Sequence, residues 1–423
     1  VVTDPSKLAI MTLLSRLGDW SYLAGEKFAY LAVLAVTNMV QKTLSNGLFD
    51  WSAKSLAALG YLSLVAFSDI DTAHYFGERA LQMQERCGSE VGKARMLNSL
   101  YVFVFHHLKP LQNFSKPLVE SHHIGMRNGD KASAMWSVCN TTILLYIIGK
   151  PLKVIEEQCK LSVSQMDELN EEEQASCLRM YWQLCFNLMG LSTNTVEFSG
   201  EAMNENKVFS TLVSRNMLVG VKMIASSLFG RYEMGAHLAI AKETQKYLKI
   251  TGGDNSRAMF WFHGSLCLYA MARTNKTKKR KYMTLAKPIH KELTNSLKNK
   301  NPNGLHCVSL LNAEKAALTH KKNQEDDVRK QYNDAISVAA RGGCVHDTAL
   351  AQERFADYLY SSVGDLQEAK YHLEKSIQRY TNWGAMGVVE YLHNKYQDVL
   401  AGSSTNGYSK YDEIQICGVG AQS

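Results

Sequence analysis

The arrangement that comes nearest to an acid-base pair is His346-Asp347 with Glu353 following in the same helical pattern. An imidazole beside a carboxylate could hold or pass a proton near neutral pH. Asp347 also stands where a helix is about to begin. There a short acidic side chain caps exposed backbone N–H groups, and a further acid suits the helix dipole, so a helix-start role is the simpler reading. Cys344, beside Gly342-Gly343, is the one thiol expected in a loop and is therefore the candidate reactive cysteine. The pairs His106-His107 and His122-His123 carry metal-ligating nitrogens. Adjacent residues on a helix point to different faces, however, and no carboxylate stands four residues on, which favours surface or capping roles. Gly92-Lys93 and Gly149-Lys150 lack both the preceding glycine at phosphate-loop spacing and a Ser or Thr after the lysine, and Gly418-Val419-Gly420 in the tail is equally uninformative. The residues therefore predict no catalytic group, no metal site and no cofactor in this chain.

Charge offers a surface instead. The net charge of +7 is concentrated in Arg273 to Lys300, which holds ten Lys or Arg and one acid, with Lys278, Lys279, Arg280 and Lys281 at its centre. An anionic partner, nucleic acid or the nuclear import machinery would be drawn to such a run. Tyr282 is its one aromatic residue, so no stacking platform for bases accompanies the charge, and a solvated loop and helix face is the better expectation. The nine cysteines are odd in number and contain no CxxC pair, which points to buried thiols in a reducing compartment. The cytoplasm is the expected location, with the nucleus second. The longest apolar run, Phe28 to Val40, is interrupted by Thr37 and Asn38 and is too short to span a bilayer. The sequence begins at Val1 without a methionine, so it reads as a piece of a longer polypeptide or a reading frame that starts late.

Six prolines in 423 residues favour long helices over a loop-rich chain. From Thr348 to Gly387 two helical patterns lie back to back around Gly364, with Tyr360 before the turn and Ala369 and Leu373 after it. Small residues there let paired helices approach, and the larger ones fill the gap between neighbouring pairs. Ala73, Gly77 and Ala80 form a similar narrow face, and Gly149 and Gly230 mark further turns. Two helices joined near Gly18 to Gly25 precede the series, Ser162 to Gln174 reads as an acidic connection, and Ser192 to Asn206 as an irregular loop. The six tryptophans sit in helical patterns and are expected in the core between repeats. Hairpins recur roughly every 35 to 45 residues, the spacing of helical-repeat solenoids. The chain thus divides into N-terminal helices over 1–45, a repeat domain over 46–400 and a tail over 401–423 expected to be disordered.

The run Gly343-Cys344-Val345-His346-Asp347-Thr348-Ala349-Leu350-Ala351-Gln352-Glu353, continued by Ala356, Tyr360, Gly364, Ala369, Leu373, Tyr380 and Trp383-Gly384-Ala385, resembles the last repeats of a tetratricopeptide-like helical region. That region belongs to large signalling proteins that also carry a protein-kinase-like domain, an AAA-type predicted ATPase, a GAF domain and often a histidine kinase. Asn301-Pro302-Asn303-Gly304-Leu305-His306 resembles the opening of its penultimate hairpin, and His107-Leu108-Lys109-Pro110-Leu111 and Gly129-Asp130 resemble its early repeats. The catalytic modules of such proteins have no counterpart in these residues, so their activities pass to no position here. The expected fold is all-α, a right-handed superhelix (solenoid) of antiparallel helical hairpins built from degenerate tetratricopeptide-like repeats. Its long concave surface is expected to receive a protein partner or other domains of the same polypeptide. Association with nucleic acid through 273–300 is the alternative.

Overall fold

Capping residues set where the helices begin and end. Asp69, Thr211 and Asp365 each accept a hydrogen bond from the backbone N–H three residues on, at 2.9, 3.1 and 3.0 Å. These bonds satisfy donors that a helix start otherwise leaves unpaired. Gly364 closes its helix at φ +84°, a backbone state that costs glycine little and other residues more.

The computed structural model of the chain describes residues 2–24, 29–206, 211–245, 256–320 and 324–401. The expected break at Thr251 to Asn255 and the tail from 402 onward lie outside them. The helices are α1 (Pro5–Ala24), α2 (Ala29–Asn46), α3 (Ser52–Phe67), α4 (Ile70–Cys87), α5 (Lys93–Ser99), α6 (Ser115–Arg127), α7 (Lys131–Ile147), α8 (Leu152–Glu168) and α9 (Glu172–Met189). They continue as α10 (Leu212–Leu228), α11 (Tyr232–Ile240), α12 (Arg257–Thr274), α13 (Lys279–Lys298), α14 (Leu305–Thr319), α15 (Glu325–Arg341), α16 (Val345–Tyr358), α17 (Leu366–Trp383), α18 (Met386–Lys395) and α19 (Gln397–Ala401). No β-strand forms among the described residues; a single bridge joins Ser199 to Asn204 within the irregular segment after α9. Neighbours in sequence pack as hairpins: α1 on α2, α3 on α4, α6 on α7, α8 on α9, α12 on α13, α14 on α15 and α16 on α17. The protein is an all-α solenoid of helical hairpins.

Among the described residues three apolar cores run along it. A small one holds Met11, Met39, Phe49 and Trp51, a second fills α3 to α7, and the largest extends from Ala134 to Val399. Two boundaries differ from expectation. Helix α1 passes through Gly18 without a break. Most of the acidic connection at 162–174 is helical, because Val163 and Met166 lie one turn apart on the buried face of α8; the chain turns at Asn170, at φ +60°. Trp20 is also not a core residue: it is 66% exposed, on a face of α1 that it shares with Ile10, Leu13 and Leu17.

The stack curls back on itself, which hairpin periodicity alone does not specify. The indole Nε1 of Trp383, at the end of α17, donates to the carbonyl of Lys150 at 2.8 Å, across 233 residues of chain. The Asn303 side chain donates to the carbonyls of His106 and Lys109 and accepts from the N–H of Leu111, at 2.7, 3.0 and 3.0 Å. Two segments singled out in the sequence, Asn301–Leu305 and His107–Leu111, are thereby clamped together. As a result α9, α12 and α16 are buried nearly all round. Where an open concave surface was expected, the curl fills the space with α16.

Candidate functional site

Helix α16 carries polar and charged residues into this interior, and each must find a partner there, because a buried unpaired charge costs several kcal/mol. Glu314 on α14 is fully buried and accepts four hydrogen bonds. Arg354 Nε and Nη2 reach its two oxygens at 3.0 and 2.9 Å, Arg273 Nη2 at 3.0 Å and Tyr332 Oη at 2.9 Å. Arg273 continues to Asp357 at 2.9 Å, and Asp357 also accepts from Tyr396 at 2.6 Å and pairs with Lys395 at 3.3 Å. Arg354 Nη1 donates to Tyr232 Oη at 2.8 Å. The network ties α11, α12, α14, α15, α16 and α18 together. Burial alone would raise the Glu314 carboxyl, but the two guanidinium groups outweigh it and hold the group below its usual range. Arg273 therefore does not belong to the solvated basic surface: its position at the end of α12 faces the interior, and its charge is spent on Glu314 and Asp357.

Glu353, one residue before Arg354, faces a different part of the core. Its Oε2 accepts from Tyr380 Oη at 3.1 Å, while Oε1 has no hydrogen-bond partner among the described residues. Burial, opposed by Lys395 and Arg354, pushes its carboxyl up to about 7. Glu353 and Asp347 thus serve separate clusters and form no acid-base pair.

At the other end of α16, Cys344 occupies the N-cap position and Asp347 lies in the first turn, where it caps nothing. The helix starts earlier than the sequence suggests because Gly343, at φ +72°, turns the chain into it. Asp347 Oδ2 instead faces His306 Nε2 at 3.0 Å and His346 Nε2 at 3.5 Å. Burial works against ionisation of Asp347, yet the imidazoles of His346, His306 and His263 keep its carboxyl well below the ordinary range. Cys344 is buried, and burial raises its thiol to about 11. A thiol so protonated and enclosed is the opposite of the exposed reactive cysteine expected from the loop. The donor atoms of His306, Cys344 and Asp347 lie within 4.8 Å of one another, and these three residues could hold a metal ion. His346 stacks on Trp383 with centroids 4.8 Å apart, and a β-carbon added to Gly149 would lie 2.9 Å from His346 Nδ1. The turn glycine thus makes room for this ring.

The other sequence candidates fall elsewhere. Ala73, Gly77 and Ala80 are buried on α4, and a β-carbon on Gly77 would stand 2.7 Å from the ring of Phe105. Gly230 is covered by Tyr391. Ala369 and Leu373 are buried, whereas Tyr360 is 40% exposed. The chain forms a wider π-helical turn over Leu359–Val363, which keeps Tyr358 and Leu359 on the core side and turns Tyr360 outward. His106 and His107 occupy a short 3₁₀ turn, not an α-helix, and their rings meet at 4.0 Å instead of diverging. Lys278, Lys279, Arg280 and Lys281 are all exposed, at the start of α13. An open depression of about 760 Å³ lies beside α11, lined by Val196, Arg231, Tyr232, His237, Met271 and Thr274 among others. No described helix is long and apolar enough to cross a membrane.

No family model matches the chain. A stretch of 121 residues, 28% of the chain, is 28% identical to part of the hybrid signal transduction histidine kinase G of Dictyostelium discoideum, and the match spans 4% of that kinase's length. Among solved structures, a circular tandem repeat protein with novel repeat topology and enhanced subunit contact surfaces aligns over 94% of this chain and 97% of its own, at 12% identity and a TM-score of 0.15. That score is too low to bear on the fold, which rests on the packing of the chain's own helices.

Proposed function

We propose that this chain is a non-catalytic helical-repeat scaffold, the regulatory part of a signal-transduction protein of ATPase or kinase type. It would bind a protein partner or other domains of the same polypeptide. The observation that carries the reading is how the buried charges are used. Glu314, Arg273, Arg354 and Asp357 are consumed in pairing with one another, so these four buried charges serve to hold helices together. The partial likeness to a hybrid histidine kinase supports the signalling context. Recognition then falls to exposed features such as the apolar face of α1, the depression beside α11 and the basic start of α13. Cross-linking mass spectrometry on the polypeptide that contains this chain tests the reading. Cross-links from these surfaces to a partner or to another domain are expected, and a chain that cross-links only within itself under conditions of active signalling refutes it.

A second reading, association with nucleic acid, is favoured by the four adjacent exposed cations at Lys278 to Lys281. Affinity for mixed-sequence RNA would then fall steeply with salt, by a log–log slope of roughly 0.7 per phosphate contacted. Absence of binding at low salt removes this reading.

A further inference from the structure

We propose that His306, Cys344 and Asp347 form a binding site for a divalent transition-metal ion of the zinc type. Such an ion would tie the start of α14 to the start of α16. The argument begins with the donor set: one imidazole, one thiol and one carboxylate, each able to give a single ligand atom, with all three atoms within 4.8 Å of one another. Tetrahedral zinc at its usual bond lengths of about 2.0–2.3 Å sets its ligand atoms roughly 3.3–3.6 Å apart. His306 Nε2 and Asp347 Oδ2 already stand 3.0 Å apart, so closing the set requires side-chain shifts of about 1 Å and no rearrangement of the helices. Imidazole and thiolate together select zinc, cobalt or a related ion over magnesium or calcium, which prefer oxygen ligands throughout.

The surroundings support the same assignment. Cys344 and Asp347 are buried, while the His306 side chain retains 18% exposure and offers a path of entry. Cys307, the residue after His306, is buried as well and its thiol interacts with the His306 ring. His346 Nε2 lies 3.5 Å from the Asp347 carboxylate, and its buried Nδ1 has no hydrogen-bond partner among the described residues. Asp347 therefore has more imidazole around it than one carboxylate needs, as in metal sites where a second layer of groups orients the ligands. The backbone supplies rigidity, because Cys344 caps and Asp347 lies in the first turn of one helix, and His306 sits in the first turn of the other.

The test uses the 423-residue chain, stripped with a chelator and titrated with Co²⁺ and, in competition with a chromophoric chelator, with Zn²⁺. The expected result is one equivalent bound, with a thiolate-to-cobalt absorption band in the near ultraviolet. His306→Gln lies at the partly exposed edge and should fold; it is expected to weaken Zn²⁺ binding by more than about 100-fold, the upper range for disturbing even the groups behind a ligand. Cys344→Ser is expected to abolish the absorption band, while Cys159→Ser, in another part of the core, leaves it in place. Should Cys344→Ser fail to fold, the wild-type band and the His306→Gln affinity decide the matter. Binding below roughly a tenth of an equivalent at micromolar free Zn²⁺, or equal affinity in wild type and His306→Gln, overturns the proposal.

Discussion

Replacing Glu314 by glutamine probes the central network most directly. The side chain keeps its shape, but its charge disappears and one of its two acceptor oxygens becomes an NH₂ group. In the wild type, Arg354 reaches both oxygens, Arg273 reaches Oε2 and Tyr332 reaches Oε1. The amide of the variant could accept at only one end, so the two bonds at the other oxygen would be lost, with at least one arginine N–H left facing the new NH₂ group. Hydrogen bonds to charged groups contribute about 1.5–3 kcal/mol each, and removing one member of a buried pair costs about 3–5 kcal/mol, so the two routes agree on a loss of about 3–5 kcal/mol. At ~1 °C per kcal/mol for a chain of 423 residues, this lowers the thermal midpoint, followed by circular dichroism, by about 3–5 °C. A second variant separates lost charge from lost volume. Combining Glu314→Met with Arg354→Met removes the bidentate pair while leaving Arg273 on Asp357, and it should melt closer to wild type than Glu314→Gln does. A Glu314→Gln midpoint within about 2 °C of wild type would refute the argument that this carboxylate neutralises the interior.

Two further outcomes follow from the same structure. Gly387→Ala should destabilise the docking of α18 on α9. Its β-carbon would stand 2.8 Å from the Asn187 carbonyl and 2.8 Å from the Gly190 nitrogen, and this backbone cannot yield. The gain in helix propensity of up to about 1 kcal/mol is outweighed by overpacking of about 1–3 kcal/mol, and hydrogen exchange at 386–395 should quicken; unchanged protection there would count against the closure. For Glu353, the folded carboxyl at about 7 lies above its unfolded value of 4.5, so the folded state binds the extra proton. Its stabilising effect is complete below about pH 4.5 and is lost as pH rises through about 7. Glu353→Gln should therefore match wild type near pH 4.5 and become progressively more stable than it by pH 8, by a difference on the order of 3 kcal/mol. A difference that stays flat across this range in urea titrations would show that Glu353 is not the titrating group.

Much of the architecture was legible in local sequence. The Gly364-Asp365 turn, the small residues of α4 and the scarcity of proline are short-range features, and helix formation is governed largely by neighbours within a turn or two. The failures are equally physical. Trp20 reads as a core residue because its periodicity is helical, but periodicity cannot say whether a face has anything to pack against. Tyr360 points outward because a π-helical turn shifts the phase of the helix, which the spacing of small residues does not reveal. Arg273 looks like one more cation in a basic run, and only the approach of α14 and α16 makes it an interior charge.

The sequence alone was enough for an all-α stack of hairpins, because caps, turns and apolar periodicity act over a few residues. The tertiary structure decided that the stack curls until Trp383 meets Lys150 and Asn303 meets His106. It also decided that α16 is enclosed on every side, and that His306 comes to rest against Asp347 and Cys344. These contacts join residues on different hairpins, and their distances depend on the accumulated rotation between successive helix pairs. No local spacing encodes that sum, so the candidate metal site emerged only when the helices were brought together.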